Sequence, residues 1–147
     1  MSADRSEIGP ARSALAQWLR AGSVDHDAAK DLVVVASELL ANAIDAFPSD
    51  ATVALRGTRE SGVVILEAIN RVSEWVSPAG RWDLDDPLRT GGRGLLIVSA
   101  LVDHIEAEHD VANFCTVVRV RRDLTSKQQH DEADCAEIAD LEPALRI

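Results

Sequence analysis

Apolar positions recur at helical spacing over the first third of the chain and alternate through its middle. Ile8, Ala11, Leu15, Trp18 and Leu19 share one helical face. Ala21-Gly22-Ser23 reads as the stop of that helix. A second stripe, Leu32, Val35, Ala36, Leu39, Leu40, Ala43 and Phe47, predicts a longer helix, capped by Asp25 or Asp27 and ended before Pro48. The period then changes to two. Val53 and Leu55 alternate with Thr52, Ala54 and Arg56, so 51–59 reads as a strand, and 63–70 as another. Ser61-Gly62 between them is turn chemistry, so the two form a hairpin. Residues 71–90 break every periodicity, with Pro78, Gly80 and Pro87 among Trp75 and Trp82. A segment so long without a pattern is usually functional or mobile, and its tryptophans fit interface anchors and loop pins equally well. Gly91-Gly92-Arg93-Gly94 then opens into a helix over 95–102. Two more strands, 104–109 and 114–122, are joined by a turn at 110–113, and 133–141 suits a short helix limited by Pro143.

The order is helix, helix, strand, strand, loop, helix, strand, strand. It predicts an α+β fold: a two-layer α/β sandwich with helices on one face of a mixed, mostly antiparallel sheet. Alternating βαβ units, which a Rossmann fold needs, are absent. The 147 residues suffice for one domain with a sizeable core, here 1–123, followed by an acidic tail over 124–147. The longest nearly apolar run, 95–102, is far below the ~20 residues of a spanning helix. No basic start leads into an apolar stretch, so the expected setting is cytoplasmic, away from any membrane.

Charge narrows the partners. The net charge is -10, of which the tail holds -4 through six acids against two bases. Such a balance disfavours nucleic-acid binding, which needs Lys and Arg on phosphates. A nucleotide ligand needs only a local anion site. Cys115 and Cys135 have no metal or redox spacing, and the four histidines stand singly, so neither suggests a zinc site.

Three segments carry candidate chemistry. Glu38, Asn42 and Asp45 stand at i, i+4 and i+7, one polar stripe within apolar sequence. A carboxylate there can orient or deprotonate an attacking group, and an Asn oxygen is a hard ligand suited to Mg²⁺. By itself the stripe is more often a solvated helix face. Gly91, Gly92 and Gly94 let backbone approach a ligand closely, and a helix start attracts phosphate, although a plain glycine-rich turn fits as well. Asn70 ends its strand and can meet a base edge or merely a turn.

Taken in this order, the segments resemble the Bergerat-fold (GHKL, histidine kinase-like) ATPase superfamily and, by size, its RsbW-like anti-sigma factor kinases. Glu38-Leu39-Leu40-Ala41-Asn42-Ala43 is similar to the family's N box, and Arg93-Gly94-Leu95-Leu96-Ile97-Val98 after Gly91-Gly92 to its second glycine box. The resemblance covers roughly residues 8 to 122. It implies ATP and Mg²⁺ as cofactors, with Glu38 catalytic and Asn42 holding the metal. Asp45, Asn70, Gly91, Gly92, Arg93, Gly94, Leu95 and Thr116 would line the nucleotide, and 71–90 would be a lid. The activity implied is that of a serine/threonine protein kinase acting on an anti-anti-sigma protein of the STAS type, with a sigma factor sequestered in the alternative complex. Related regulators are often homodimers. Asn70 stands where the family has an adenine-binding Asp, Arg71-Val72-Ser73 stands where it has a glycine, and Asp45-Ala46 follows the N box as in the gyrase and MutL branch. These departures keep two other readings open: a module that traps a protein partner with little or no ATP use, and a small stand-alone ATPase.

Overall fold

The computed structural model describes residues 5–46, 51–73 and 92–124. A 3-10 turn, Arg5–Glu7, leads into helix α1, Ile8–Ala21, then α2, His26–Ala46. The hairpin β1, Thr52–Glu60, and β2, Val63–Arg71, follows. After it come α3, Gly92–Leu101, and strands β3, His104–Asp110, and β4, Cys115–Asp123. The sheet order is β1-β2-β4-β3, and its three described pairings are all antiparallel. This is the α+β sandwich expected from the pattern. The expected ends at Phe47 and Pro48, the residues 74–91 with Trp75 and Trp82, and the tail beyond Leu124 lie outside the described residues. No described helix is long and apolar enough to cross a membrane.

Local chemistry sets the element ends. Asp25 Oδ2 accepts from the Ala28 N–H at 3.3 Å, so Asp25 caps α2. Ser61 and Gly62 both have positive φ, 49° and 76°, as primed hairpin turns require. At the end of α1 the left-handed residue is Ser23, φ 55°, and not the neighbouring glycine. Gly22 answers a different need: a Cβ there would lie 0.6 Å from Arg59 Nη1, since the guanidinium fills that space.

The core lies between the helices and the inner sheet face. Leu15 and Leu19 of α1, Leu32, Val35 and Leu39 of α2, and Leu95 and Val98 of α3 meet Leu55, Val64, Leu66, Val118 and Val120 of the strands. The opposite face carries a ladder of alternating charge across all four strands. Arg119 joins Glu67 at 2.8 Å and Glu106 at 2.6 Å, and Arg56 reaches Glu67 at 3.5 Å. The Glu106 carboxyl lies below its ordinary range because Arg119 donates to it.

Trp18 joins α1 to the hairpin. Its ring lies on Gly57, where a Cβ would come 3.0 to 3.3 Å from three ring atoms, and the Arg59 guanidinium sits 5.4 Å from the ring centroid. Gly57→Ala therefore overpacks a rigid ring rather than a flexible chain end. The expected loss is about 1–3 kcal/mol of unfolding free energy, read by urea titration.

Candidate functional site

Helix α2 places Glu38 and Asn42 one turn apart, on the side that meets the start of α3. The meeting is close. A Cβ built on Gly94 would lie 2.4 Å from Glu38 Oε2 and 3.6 Å from Asn42 Nδ2. Glycine at 94 therefore leaves the space that the Glu38 carboxylate occupies against this helix. It also explains a difference from the sequence pattern. That pattern put residues 91–94 in a loop before a helix from 95, whereas α3 already begins at Gly92. The helix can start on weak helix formers because Leu95 and Val98, both fully buried, anchor it. Gly91 lies outside the described residues.

The first N–H groups of α3 have no partner within the helix and carry the positive end of its dipole. Arg93 is exposed at this turn. Asn42 Nδ2 is a buried donor with no hydrogen-bond partner among the described residues. Such a donor loses its hydration without compensation until an acceptor reaches it.

Asp45 separates from the stripe. It pairs with Arg5 in the turn before α1, and both side chains are substantially exposed. Two turns further along the same face, Asp45 meets the N-terminal segment, and the described contacts do not join it to Glu38 and Asn42. Leu95, which the resemblance sets beside the nucleotide, is fully buried in the core.

Asn70 and Thr116 form a second polar group near the end of α2. They are register partners across β2 and β4, and both are buried, at 2% and 1% exposure. Asn70 Nδ2 donates to the Ala43 carbonyl at 3.1 Å, which ties β2 to the helix residue that follows Asn42. Thr116 Oγ1 lies 2.7 Å from His109 Nδ1 on β3. In the sequence His109 is one of four histidines that stand singly. Only the β3–β4 register, which sets His109 opposite Thr116, brings it here. The tip between these strands fixes that register. Asp110 accepts from the Asn113 N–H at 3.1 Å, Phe114 takes φ 51°, and its carbonyl accepts from the Val72 N–H.

Burial holds the His109 imidazole below its ordinary pKa of 6.5, favouring the neutral ring in the fold. In the unfolded chain the ring protonates at its ordinary value. Unfolding then takes up a proton, and stability falls as pH drops from about 6.5 through the depressed folded value. His109→Gln is expected to remove this component, seen as a shallower slope of urea midpoint against pH between 7 and 5.

Residues 1–122 match the family model described as histidine kinase-like ATPase domain. No curated protein matches the chain. Among solved structures, the nucleotide-free catalytic domain of the histidine kinase ThkA is similar over 65% of this chain and 67% of its own, at 17% identity and a TM-score of 0.49. The histidine kinase domain of the blue-light activated histidine kinase of Erythrobacter litoralis is similar at 21% identity and a TM-score of 0.51, over 68% of this chain and 49% of its own. A longer structure of that kinase gives 21% identity and 0.53, over 71% and 33%. The chain thus matches about half and a third of those two Erythrobacter chains, and at such identity the likeness bears on the fold. With a family model spanning the described helices and all of the described sheet but Asp123, the chain belongs to the histidine kinase-like ATPase domain family.

Proposed function

We propose that the chain binds ATP with Mg²⁺ and transfers the γ-phosphoryl group to a serine hydroxyl of a STAS-type anti-anti-sigma protein, acting as an RsbW-like anti-sigma factor that holds a sigma factor in the alternative complex. The supporting observation is the meeting of Glu38 and Asn42 with Gly94, where a Cβ would come 2.4 Å from the carboxylate. A side chain on residue 94 would take the space that these two groups face.

The residues fit the nucleotide and its ion. The unpartnered Asn42 Nδ2 calls for an acceptor, which a phosphate oxygen provides. Asn42 Oδ1 is the hard oxygen that would hold Mg²⁺. Bound Mg²⁺ supplies positive charge against the phosphate oxygens. The chain's own groups do the rest. The N–H groups of Gly92, Arg93 and Gly94 cradle phosphate, and the Arg93 guanidinium adds countercharge. Glu38 takes the proton of the attacking serine hydroxyl. The serine oxygen–phosphorus bond forms as the bond from γ-phosphorus to the ADP oxygen breaks. A body carrying 13 bases and 19 acids suits a basic surface on the partner, and an association made through it should weaken with salt.

Two measurements test this. Calorimetry of the chain with Mg-ATP should show saturable binding, and its absence ends the kinase reading. ATP labelled at the γ position, added to the chain with partners co-purified from the native host, should label a STAS protein on serine. Binding of both ATP and partner without label transfer would instead favour the partner-trapping module, the reading that the neutral Asn70 motivates.

A further inference from the structure

We propose that His109 fixes the direction of the Thr116 hydroxyl, so that Asn70 and Thr116 offer an acceptor–donor pair selecting the amino-purine edge of the nucleotide. This rests on the nucleotide-binding reading above. Asn70, Thr116 and His109 stand opposite one another across β2, β4 and β3. Two of the three are almost wholly buried, so solvent does not average their hydrogen bonds.

The polarity of Asn70 is set by the backbone. A carbonyl oxygen can only accept, so the amide atom facing Ala43 O at 3.1 Å must be Nδ2. Oδ1 is thereby fixed as an acceptor. The polarity of Thr116 is set by His109. Two arrangements satisfy the 2.7 Å approach of Nδ1 to Oγ1: Nδ1–H donates to the hydroxyl, or the hydroxyl donates to a bare Nδ1. Only the first leaves the threonine proton for a ligand. Adenine presents an amino donor beside the N1 acceptor. Its complement is an acceptor beside a donor, which Asn70 Oδ1 and the Thr116 hydroxyl then supply. A 6-oxo purine such as hypoxanthine presents the reverse order. It sets its oxygen against Asn70 Oδ1, which cannot turn without losing Ala43. His109 touches no base in this scheme. It is a positioning residue that acts through Thr116.

The test is binding of Mg-ATP and Mg-ITP to the full chain by calorimetry, since ITP exchanges the amino group for an oxo group. Wild type is expected to prefer ATP by about tenfold or more, the size of one or two buried hydrogen bonds. His109→Leu, or His109→Phe if the smaller side chain unsettles the sheet, should narrow this preference about tenfold through weaker ATP binding. His109→Gln, whose amide keeps a donor, should retain most of it. Adding His109→Leu to Thr116→Val should cause no further change, because His109 acts through the missing hydroxyl. An ATP-to-ITP ratio unmoved by His109→Leu and His109→Phe, or additive losses in the double variant, overturns the inference while leaving ATP binding intact. A wild-type chain that binds neither nucleotide overturns the nucleotide reading and this inference together.

Discussion

Glu38→Gln should bind Mg-ATP within a few-fold of wild type and lose phosphoryl transfer by about a hundred- to ten-thousand-fold, the usual contribution of a positioned general base. The two side chains share shape, so packing against Gly94 survives. What goes is the ability to accept a proton. Quenched-flow transfer of labelled phosphate to the partner reads the loss, and calorimetry reads the retained binding. A Gln variant with near wild-type transfer would remove Glu38 from the chemistry. Gly94→Ala tests the same geometry from the other helix. Its new Cβ displaces Glu38 Oε2, which lies 2.4 Å from that position. The carboxylate is the end of a flexible chain, so the fold tolerates the change and the carboxylate alone moves. Transfer should fall together with the displacement, although residue 38 is untouched. Equal transfer in Gly94→Ala and wild type would show that the position of this carboxylate carries no rate.

The elements were legible where burial is periodic. Both long helices, the hairpin and its Ser61-Gly62 turn follow from apolar spacing and turn chemistry, and strand ends agree within about a residue. The glycines at 92 and 94 misplaced the start of α3, because propensity counts glycine as a helix breaker, while at 94 the bare backbone leaves room for the Glu38 carboxylate. The site was legible as a set of motifs and not as a geometry. Spacing put Glu38, Asn42 and Asp45 on one stripe, yet a stripe does not say which neighbour each residue meets. Arg5, forty residues away in sequence, takes Asp45, and α3 takes the other two. His109 could be found only through strand register. The Asp110–Asn113 turn was visible in the sequence. Counting back from it pairs His109 with Phe114; the observed loop instead runs through Phe114 at positive φ, which its type disfavours, and so pairs His109 with Thr116. The role of Asn70 was hidden for a related reason: its partner is a main-chain carbonyl, which has no sequence signature.

That carbonyl makes Asn70→Asp a variant in which restoring the residue usual in the family does harm. The resemblance implies that an aspartate would improve adenine binding, since a carboxylate accepts more strongly than an amide. The geometry implies the opposite. Residue 70 is 2% exposed and faces the Ala43 oxygen, so a carboxylate there sets acceptor against acceptor without water to separate them. The expected cost is about 2–4 kcal/mol at neutral pH, for a buried charge whose donor role is lost. The pH dependence carries the signature. Burial and the facing carbonyl raise the folded pKa of the introduced carboxyl above the ordinary carboxylate value. The penalty is then complete above the raised value and shrinks as pH falls through it. Below it the protonated carboxyl donates to Ala43 in place of the amide. Urea midpoints of the variant and wild type should therefore converge between pH 8 and pH 5. Mg-ATP binding near pH 7 should be weaker in the variant, because α2 and β2 no longer share their link beside Asn42. A constant gap between the two midpoints, or tighter ATP binding in the variant, would mean that Ala43 does not set the polarity of this position.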